Sequence, residues 1–337
     1  MDYVVRFSRV LVTAAAGNMN DASHTHVGSP AKAYNVLAVG NVDGKRTRDW
    51  SDDEMSPSSL FRDPDSGAAK PEVAAFGTRI TMPTNSFDSQ GEIIFRTVTG
   101  TSFAAPMVAA VAGLCVDGLP TLANNPEGLR ALMMLSGALH HVESDRITGD
   151  KAGAGIVLAT VASRTQVLTD SFFGGARSTP TLFQSQFTDG VFEHNRNNLT
   201  GGDILLEAGK PMRFVLTYSQ EPTARNATPS PSSYRRADID MSLHMEDTGE
   251  DLGFSLNGPN VPYEIIDVTP TRSGVATIRI HNVAWPNDLA SLKYGLVWGF
   301  VEDLDSDQSE DDAYEDNDTF ETATPLPVNT PLSTING

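Results

Sequence analysis

The feature that most constrains the fold is a long, alanine-rich apolar run that follows a glycine, a threonine and a serine. Residues 103–114 contain no polar side chain, and Pro106 falls in the first turn, where a helix tolerates proline. A helix that is apolar on all sides belongs in a protein interior, so the sequence predicts a buried helix over residues 101–119. Ser102 then stands where a loop turns into the positive end of this helix.

Two continuous apolar runs of strand length precede this helix. Residues 10–18 end at a glycine and an asparagine, as a buried parallel strand does before a loop, and residues 36–42 form the second run. Two further helices are predicted, one over residues 126–139 with Glu127 near its start, and a short one after residues 153–155. Apolar strands separated by longer connections favour a parallel sheet covered on both faces by helices.

The chain changes character after about residue 164, where short segments alternate polar with apolar side chains and turn-forming residues separate them. The clearest of these segments are residues 213–218, 239–245 and 275–280. The polar, proline-containing residues 223–233 form a loop between two of them. This half is predicted to be an antiparallel β-sandwich.

Composition excludes several function classes. The net charge of −19 argues against nucleic-acid partners, because a duplex binder needs a cationic surface. The single Cys115 excludes an internal disulfide framework. No apolar run reaches the roughly 18 residues that span a bilayer, and the first residues lack the pattern of a secretion signal.

Ser102 is the first candidate for chemistry. A hydroxyl at a helix start lies beside backbone N–H groups that have no acceptor within the helix, which suits a nucleophile whose attack creates an oxyanion. The alternative is that Ser102 is a helix N-cap, the commoner reason for a serine at such a position.

Four short motifs, in this order along the chain, resemble those of the subtilase family of serine peptidases. They lie at residues 14–18, 70–77, 100–106 and 153–157. Phe76 stands where the family usually has a proline. Four motifs in the family's order are far more specific than any one of them.

This resemblance implies the fold and the domain organisation. Residues 1–164 are expected to form an α/β, parallel-sheet, three-layer subtilase domain whose N-terminal part is missing. Residues 165–301 resemble the antiparallel, jelly-roll-like β-sandwich appended to many secreted subtilases. Residues 302–337 read as an acidic linker followed by the start of a truncated domain similar to bacterial pre-peptidase C-terminal domains. Secretion is implied by the family.

The chemistry implied by the resemblance is acyl transfer to a serine. Ser102 attacks a peptide carbonyl, and the oxyanion is held by the Ser102 backbone N–H and the Asn18 side-chain amide. The substrate-binding positions implied by the same motifs are Ala15, Ala16, Gly17, Gly100 and Thr101. Polypeptides are the expected substrates.

The catalytic aspartate and histidine have no matching motif in the chain. In the family both precede the oxyanion asparagine, whereas all 7 histidines here follow Asn18. His24 and His26 are predicted to lie in a surface loop, with a substitute base or a metal pair as alternatives. We therefore expect a fragment, a truncated gene product or half of an assembly, inactive without a missing N-terminal segment. The alternative is a catalytically inactive remnant whose β-sandwich serves as a binding or structural module.

No cofactor is required by this chemistry, and calcium as a structural ion is left open. Asp238 and Asp240 could ligate calcium, but two carboxylates are too few to define a site. Asp303, Asp305 and Asp307 have calcium-loop spacing without the glycine and the final acid that such a loop needs, so a solvated linker is the better interpretation.

Overall fold

The computed structural model describes residues 1–19, 26–47, 52–61, 67–138, 151–159, 181–194, 203–227 and 231–301. All of them lie in one compact unit, Met1–Glu302. The predicted linker and truncated domain at residues 302–337 lie outside the described residues. So does most of the short helix expected after residues 153–155, where the structure has a strand first.

Three α-helices are described: α1 (Asp2–Ser8), α2 (Thr101–Gly118) and α3 (Pro126–Leu135). Helix α3 begins at proline, and the Asn125 side chain caps it by accepting a hydrogen bond from the Gly128 backbone N–H at 3.0 Å. The prediction of a helix to residue 139 is wrong at its end, because the chain leaves α3 after Leu135 and enters a short strand.

The first half contains eight strands, six of which form one sheet. They are β1 (Thr13–Ala15), β2 (Leu37–Asp43), β3 (Glu54–Met55), β4 (Val73–Phe76), β5 (Ile80–Phe87), β6 (Ile93–Val98), β7 (Gly137–Ala138) and β8 (Ile156–Val157). The sheet order is β1-β2-β4-β8-β7, with β3 paired to β2, and β5 and β6 form a separate hairpin. The neighbours from β1 to β8 pair in parallel, as the apolar runs predicted.

Successive side chains of β2 point to opposite faces of this sheet. Leu37 and Val39 join the core cluster that contains the inner side of α2, whereas Ala38 packs with Ala14 and Val5 in a second cluster. Helix α1 and loop residues supply that second cluster. Within the described residues, helices therefore lie on both faces of the sheet, with α2 on one face and the short α1 with loop residues on the other, as expected.

The prediction that α2 is buried all round is wrong. Ala104, Ala105 and Val108 pack against the sheet, whereas Met107 is 49 % exposed and Leu114 is 64 % exposed on the other side. By length and composition α2 could cross a membrane, and within the described residues it is the one helix that could. Its packing against β1, β2 and β4 makes it a core helix of this fold.

The second half is a pair of antiparallel sheets, as its alternating pattern predicted. Its strands are β9 (Thr181–Leu182), β10 (Val191–His194), β11 (Ile204–Leu206), β12 (Met212–Tyr218), β13 (Glu221–Pro222), β14 (Tyr234–Arg235), β15 (Asp238–Met245), β16 (Asp251–Ser255), β17 (Tyr263–Val268), β18 (Gly274–Ala284) and β19 (Leu292–Phe300). One sheet has the order β10-β18-β15-β16, with β11 on β18, and the other has the order β17-β12-β19-β9.

Helix α3 joins the two halves by packing on β12 and β19. The contact is so close that a Cβ atom on Gly295 would lie 2.4 Å from the Gly128 backbone nitrogen. Arg9 forms a bidentate pair with Glu127 at 2.8 and 2.5 Å, and Ser219 also donates to Glu127. The predicted boundary between residues 164 and 165 falls outside the described residues and stays a prediction.

The pKa of Glu264 is raised to about 8, mainly by burial and to a smaller extent by the nearby Asp240 and Asp238. Its Oε2 accepts hydrogen bonds from Ser255 Oγ at 2.5 Å and Asn257 N at 3.2 Å, while the buried Oε1 has no hydrogen-bond partner. These two hydrogen bonds favour the charged form, but they do not outweigh the loss of solvation.

Because the folded state holds this proton more tightly than the unfolded state, Glu264 makes the protein less stable as the pH rises from about 4.5 to about 8. We expect Glu264→Gln to flatten this decline, by about 1.4 kcal/mol for each pKa unit of the shift. Urea unfolding at several pH values measures it. The exposed Glu207→Gln is the matched control, and an unchanged pH slope in Glu264→Gln would contradict the assignment.

Candidate active site

The start of α2 places Ser102 at the surface. Gly100 is the N-cap residue, its backbone N–H donates to the Gly77 carbonyl at 2.9 Å, and its own carbonyl accepts from Phe103 N at 3.0 Å. Ser102 is the second residue of the helix and is exposed. The alternative interpretation of Ser102 as the N-cap is therefore wrong, and the position leaves its hydroxyl free for chemistry.

Asn18 meets the same helix end from the edge strand of the sheet. Its Oδ1 accepts hydrogen bonds from Thr101 N at 3.0 Å and from Thr101 Oγ1 at 3.3 Å. Its Nδ2 lies on the side of Gly100, where a Cβ atom would come within 3.2 Å of it. The amide oxygen of Asn18 is thus held by Thr101, and the whole amide group lies beside Gly100.

The backbone between β1 and Asn18 is held from both sides. Ala16 N donates to the Val39 carbonyl at 3.0 Å, and Gly17 N donates to Thr101 Oγ1 at 3.2 Å. Gly17 has φ +110°, and a Cβ there would lie 2.8 Å from Leu60 Cδ1. The side chain of Ala16 is buried, so only its backbone can line a pocket wall, whereas Ala15 is partly exposed.

Thr101 is held inside the candidate site, and its substrate-binding role stays a prediction. It is fully buried, and its hydroxyl contacts Asn18 and the Gly17 backbone, so its side chain anchors the candidate site. Gly77, which the sequence analysis did not single out, packs against the helix start: a Cβ there would lie 2.7 Å from the Gly100 carbonyl oxygen. The sequence signal that could have identified Gly77 as part of the site is its position at the end of the motif at residues 70–77.

The motif at residues 70–77 also contains a buried ion pair between Lys70 and Glu72. Lys70 Nζ donates to the Val36 carbonyl at 2.6 Å, and Glu72 Oε2 accepts from Ala38 N at 2.8 Å. Burial lowers the pKa of Lys70, and Glu72 opposes this shift. The pair fixes the start of β4 against β2. Strand β2 in turn holds the segment that leads to Asn18, because its Val39 carbonyl accepts a hydrogen bond from Ala16 N.

The four described histidines are His26, His194, His244 and His281. His194, His244 and His281 lie on strands of the sandwich, and His26 lies in a loop of the first half. His24, His140 and His141 lie outside the described residues. Within the described ranges no group of three or more His, Cys, Asp and Glu side chains is arranged to hold a metal ion.

An asparagine at the end of a parallel edge strand, held beside a serine in the first turn of a core helix, is an arrangement suited to serine acyl transfer. Residues 4–166, a little under half of the chain, match the model described as the subtilase family, so this part of the chain is similar to that family. The α/β sheet with additional antiparallel sheets is consistent with that assignment.

Two curated relatives align with this region. Subtilisin DY of Bacillus licheniformis is 36 % identical over 118 residues, which is 34 % of this chain and 35 % of that protein. Serine protease AprX of Bacillus subtilis (strain 168) is 30 % identical over 132 residues, 37 % of this chain and 29 % of its own length. The matched part thus spans about a third of these relatives.

Among solved structures, fervidolysin from Fervidobacterium pennivorans, described as a keratinolytic enzyme related to subtilisin, aligns with 81 % of this chain and 32 % of its own. The identity is 16 % and the TM-score is 0.37. A similarity of this size supports no further structural argument.

Proposed function

We propose that the first half of the chain carries the nucleophile and oxyanion-stabilising part of a serine endopeptidase site. The observation that carries this proposal is the pair of hydrogen bonds from Thr101 to Asn18 Oδ1, at 3.0 and 3.3 Å, beside the exposed Ser102. They orient the amide so that its nitrogen serves the helix start where Ser102 stands. The family assignment supports polypeptide substrates and an extracellular location.

In the proposed reaction, Ser102 Oγ forms a bond to the carbonyl carbon of a peptide and passes its proton to a base. The resulting oxyanion accepts hydrogen bonds from the Ser102 backbone N–H and from Asn18 Nδ2. Collapse of this intermediate breaks the C–N bond, releases the amine with the transferred proton and leaves an acyl ester on Ser102. Water then hydrolyses the ester by the reverse proton path.

We propose that the base comes from a polypeptide segment, carrying an aspartate and a histidine, that is not part of the described residues. Within those residues β1 pairs only with β2, so its other edge is free to receive a strand. The exposed side of α2, with Met107 and Leu114, offers apolar surface next to that edge. The chain alone then keeps only the residual catalysis of an oxyanion hole and substrate binding. In serine peptidases that have lost a triad residue, this residual rate enhancement is about 10³ to 10⁴ over the reaction in water.

A fluorophosphonate probe tests this proposal, with intact-mass spectrometry as the readout. We expect slow labelling of one site in the unmodified chain, faster labelling when the Asp- and His-bearing half of a subtilase is added, and no labelling in Ser102→Ala. Ser89→Ala, at an exposed serine of the β5–β6 hairpin, is the matched control and keeps the labelling. Labelling that persists in Ser102→Ala, or is absent under both conditions, favours the rival function, a binding or structural β-sandwich.

A further inference from the structure

A cluster of nucleophilic and metal-ligating side chains lies on the sandwich, outside the candidate active site. Ser242 and His244 are on β15, and His281 is on the neighbouring β18. Ser242 Oγ lies 2.8 Å from His244 Nε2 and 2.7 Å from His281 Nε2. Two imidazole nitrogens from two strands therefore converge on one oxygen, and the proposed peptidase chemistry uses none of the three side chains.

The position of the cluster follows from the alternation of side chains along β15, in which every second side chain points to the same face of the sheet. Met241 and Leu243 belong to the main hydrophobic core, so Ser242 and His244 lie on the opposite face of the sheet. In the antiparallel register His281 pairs with Asp240 and Thr277 pairs with His244. The two histidines thus approach Ser242 from opposite directions along the ladder, and Ser242 is only 6 % exposed between them.

The hydrogen positions in this cluster are constrained by counting donors. The hydroxyl has one hydrogen, so it can donate to one imidazole and must accept from the other. His244 Nδ1 lies 2.6 Å from Asp251 Oδ1, a contact that favours a proton on Nδ1 although it is not aligned as a hydrogen bond. Ser242 then donates to His244 Nε2 and accepts the Nε2 hydrogen of His281.

Metal binding requires both imidazoles in their neutral form. A neutral imidazole offers a nitrogen lone pair, which is what a transition-metal ion requires. Arg279, which lies near His281, is engaged with Glu193, at 2.7 Å.

We propose that His244 and His281 bind a divalent transition-metal ion of the zinc class through their Nε2 atoms. Small rotations of the two rings toward each other bring both nitrogens to one ion, with His281 shifting its hydrogen from Nε2 to Nδ1. Asp251 orients His244 from the outer shell, an arrangement common at histidine metal sites. Water and the Ser242 hydroxyl complete the coordination. The site is independent of the peptidase proposal.

The ligand chemistry sets the selectivity of this site. Imidazole nitrogens favour Zn²⁺, Ni²⁺ and Cu²⁺, whereas Ca²⁺ and Mg²⁺ require oxygen ligands. Two protein nitrogens give a weaker site than a closed four-ligand zinc site, so we expect binding that a chelator reverses without unfolding the chain.

Isothermal titration of the untagged full chain with ZnCl₂ tests the proposal. We expect one Zn²⁺ per chain, no heat with CaCl₂, at least a tenfold weaker affinity in His281→Gln, and a loss of about 10- to 100-fold in Asp251→Asn. Gln is chosen because it can still hydrogen-bond to Ser242. The matched control is His26→Gln, at an exposed histidine of the first half, which keeps the wild-type affinity.

A second measurement needs no variant at the site. Zn²⁺ should protect His244 and His281 of the unmodified chain from acylation by diethyl pyrocarbonate, as read by peptide mass spectrometry. Protection confined to other histidines, a Zn²⁺ affinity unchanged in a folded His281→Gln, or the absence of zinc binding would each overturn the proposal.

Discussion

We expect Arg213→Met to lower the free energy of unfolding by about 1 to 3 kcal/mol, the cost of removing a buried donor from the groups that it binds. The Arg213 guanidinium donates to the carbonyl oxygens of Met134 at 3.0 Å, Gly137 at 3.1 Å and Ala154 at 2.6 Å. It also holds Asp267 through two bonds of 2.7 and 3.1 Å. Methionine keeps the apolar stem but removes the guanidinium donor from all three carbonyls.

Urea unfolding measures this change as a lower midpoint at an unchanged slope. Arg272→Met is the matched control, because Arg272 pairs with Asp247 on the surface, where solvent screens the ion pair and its loss costs little. Equal losses in the two variants would show that Arg213 does not hold α3 and the sandwich together.

The second large effect is expected in the rate of reaction at Ser102. With a base-bearing segment added, Asn18→Ala should slow fluorophosphonate labelling by about 10²- to 10³-fold, the effect typical of losing one oxyanion-hole donor. The reason is that Asn18 Nδ2 is one of the two oxyanion donors of the proposed site, while Thr101 holds the amide oxygen.

The control for this variant is the exposed Asn287→Ala, which should leave the labelling rate unchanged. Circular dichroism shows whether Asn18→Ala keeps its fold, since the loss of Oδ1 removes an acceptor from Thr101. A folded Asn18→Ala that labels at the wild-type rate would remove Asn18 from the proposed oxyanion hole.

The sequence predicted the features that depend on neighbours along the chain. Ser102 at the start of a helix and Asn18 after a strand were both readable, because local turn residues and apolar runs set those positions. The end of α3 was not readable. Its last carbonyls are bound by Arg213, which lies far along the chain on β12, so tertiary contacts decide where the helix stops.

Two further features, the one-sided burial of α2 and the histidine cluster, also depend on tertiary contacts and could not be predicted from the sequence. An apolar run does not reveal which side of its helix a neighbour covers, so the exposure of Met107 and Leu114 required the structure. Alternation in β15 places Ser242 and His244 on one face, but only the register of β18 brings His281 to them.

Helix α3 stands between the two halves, with Glu127 at its start bound by Arg9 and Ser219, and with Gly128 against Gly295. Unfolding of either half therefore breaks contacts that hold the other half. We expect calorimetry to record a single endotherm for both.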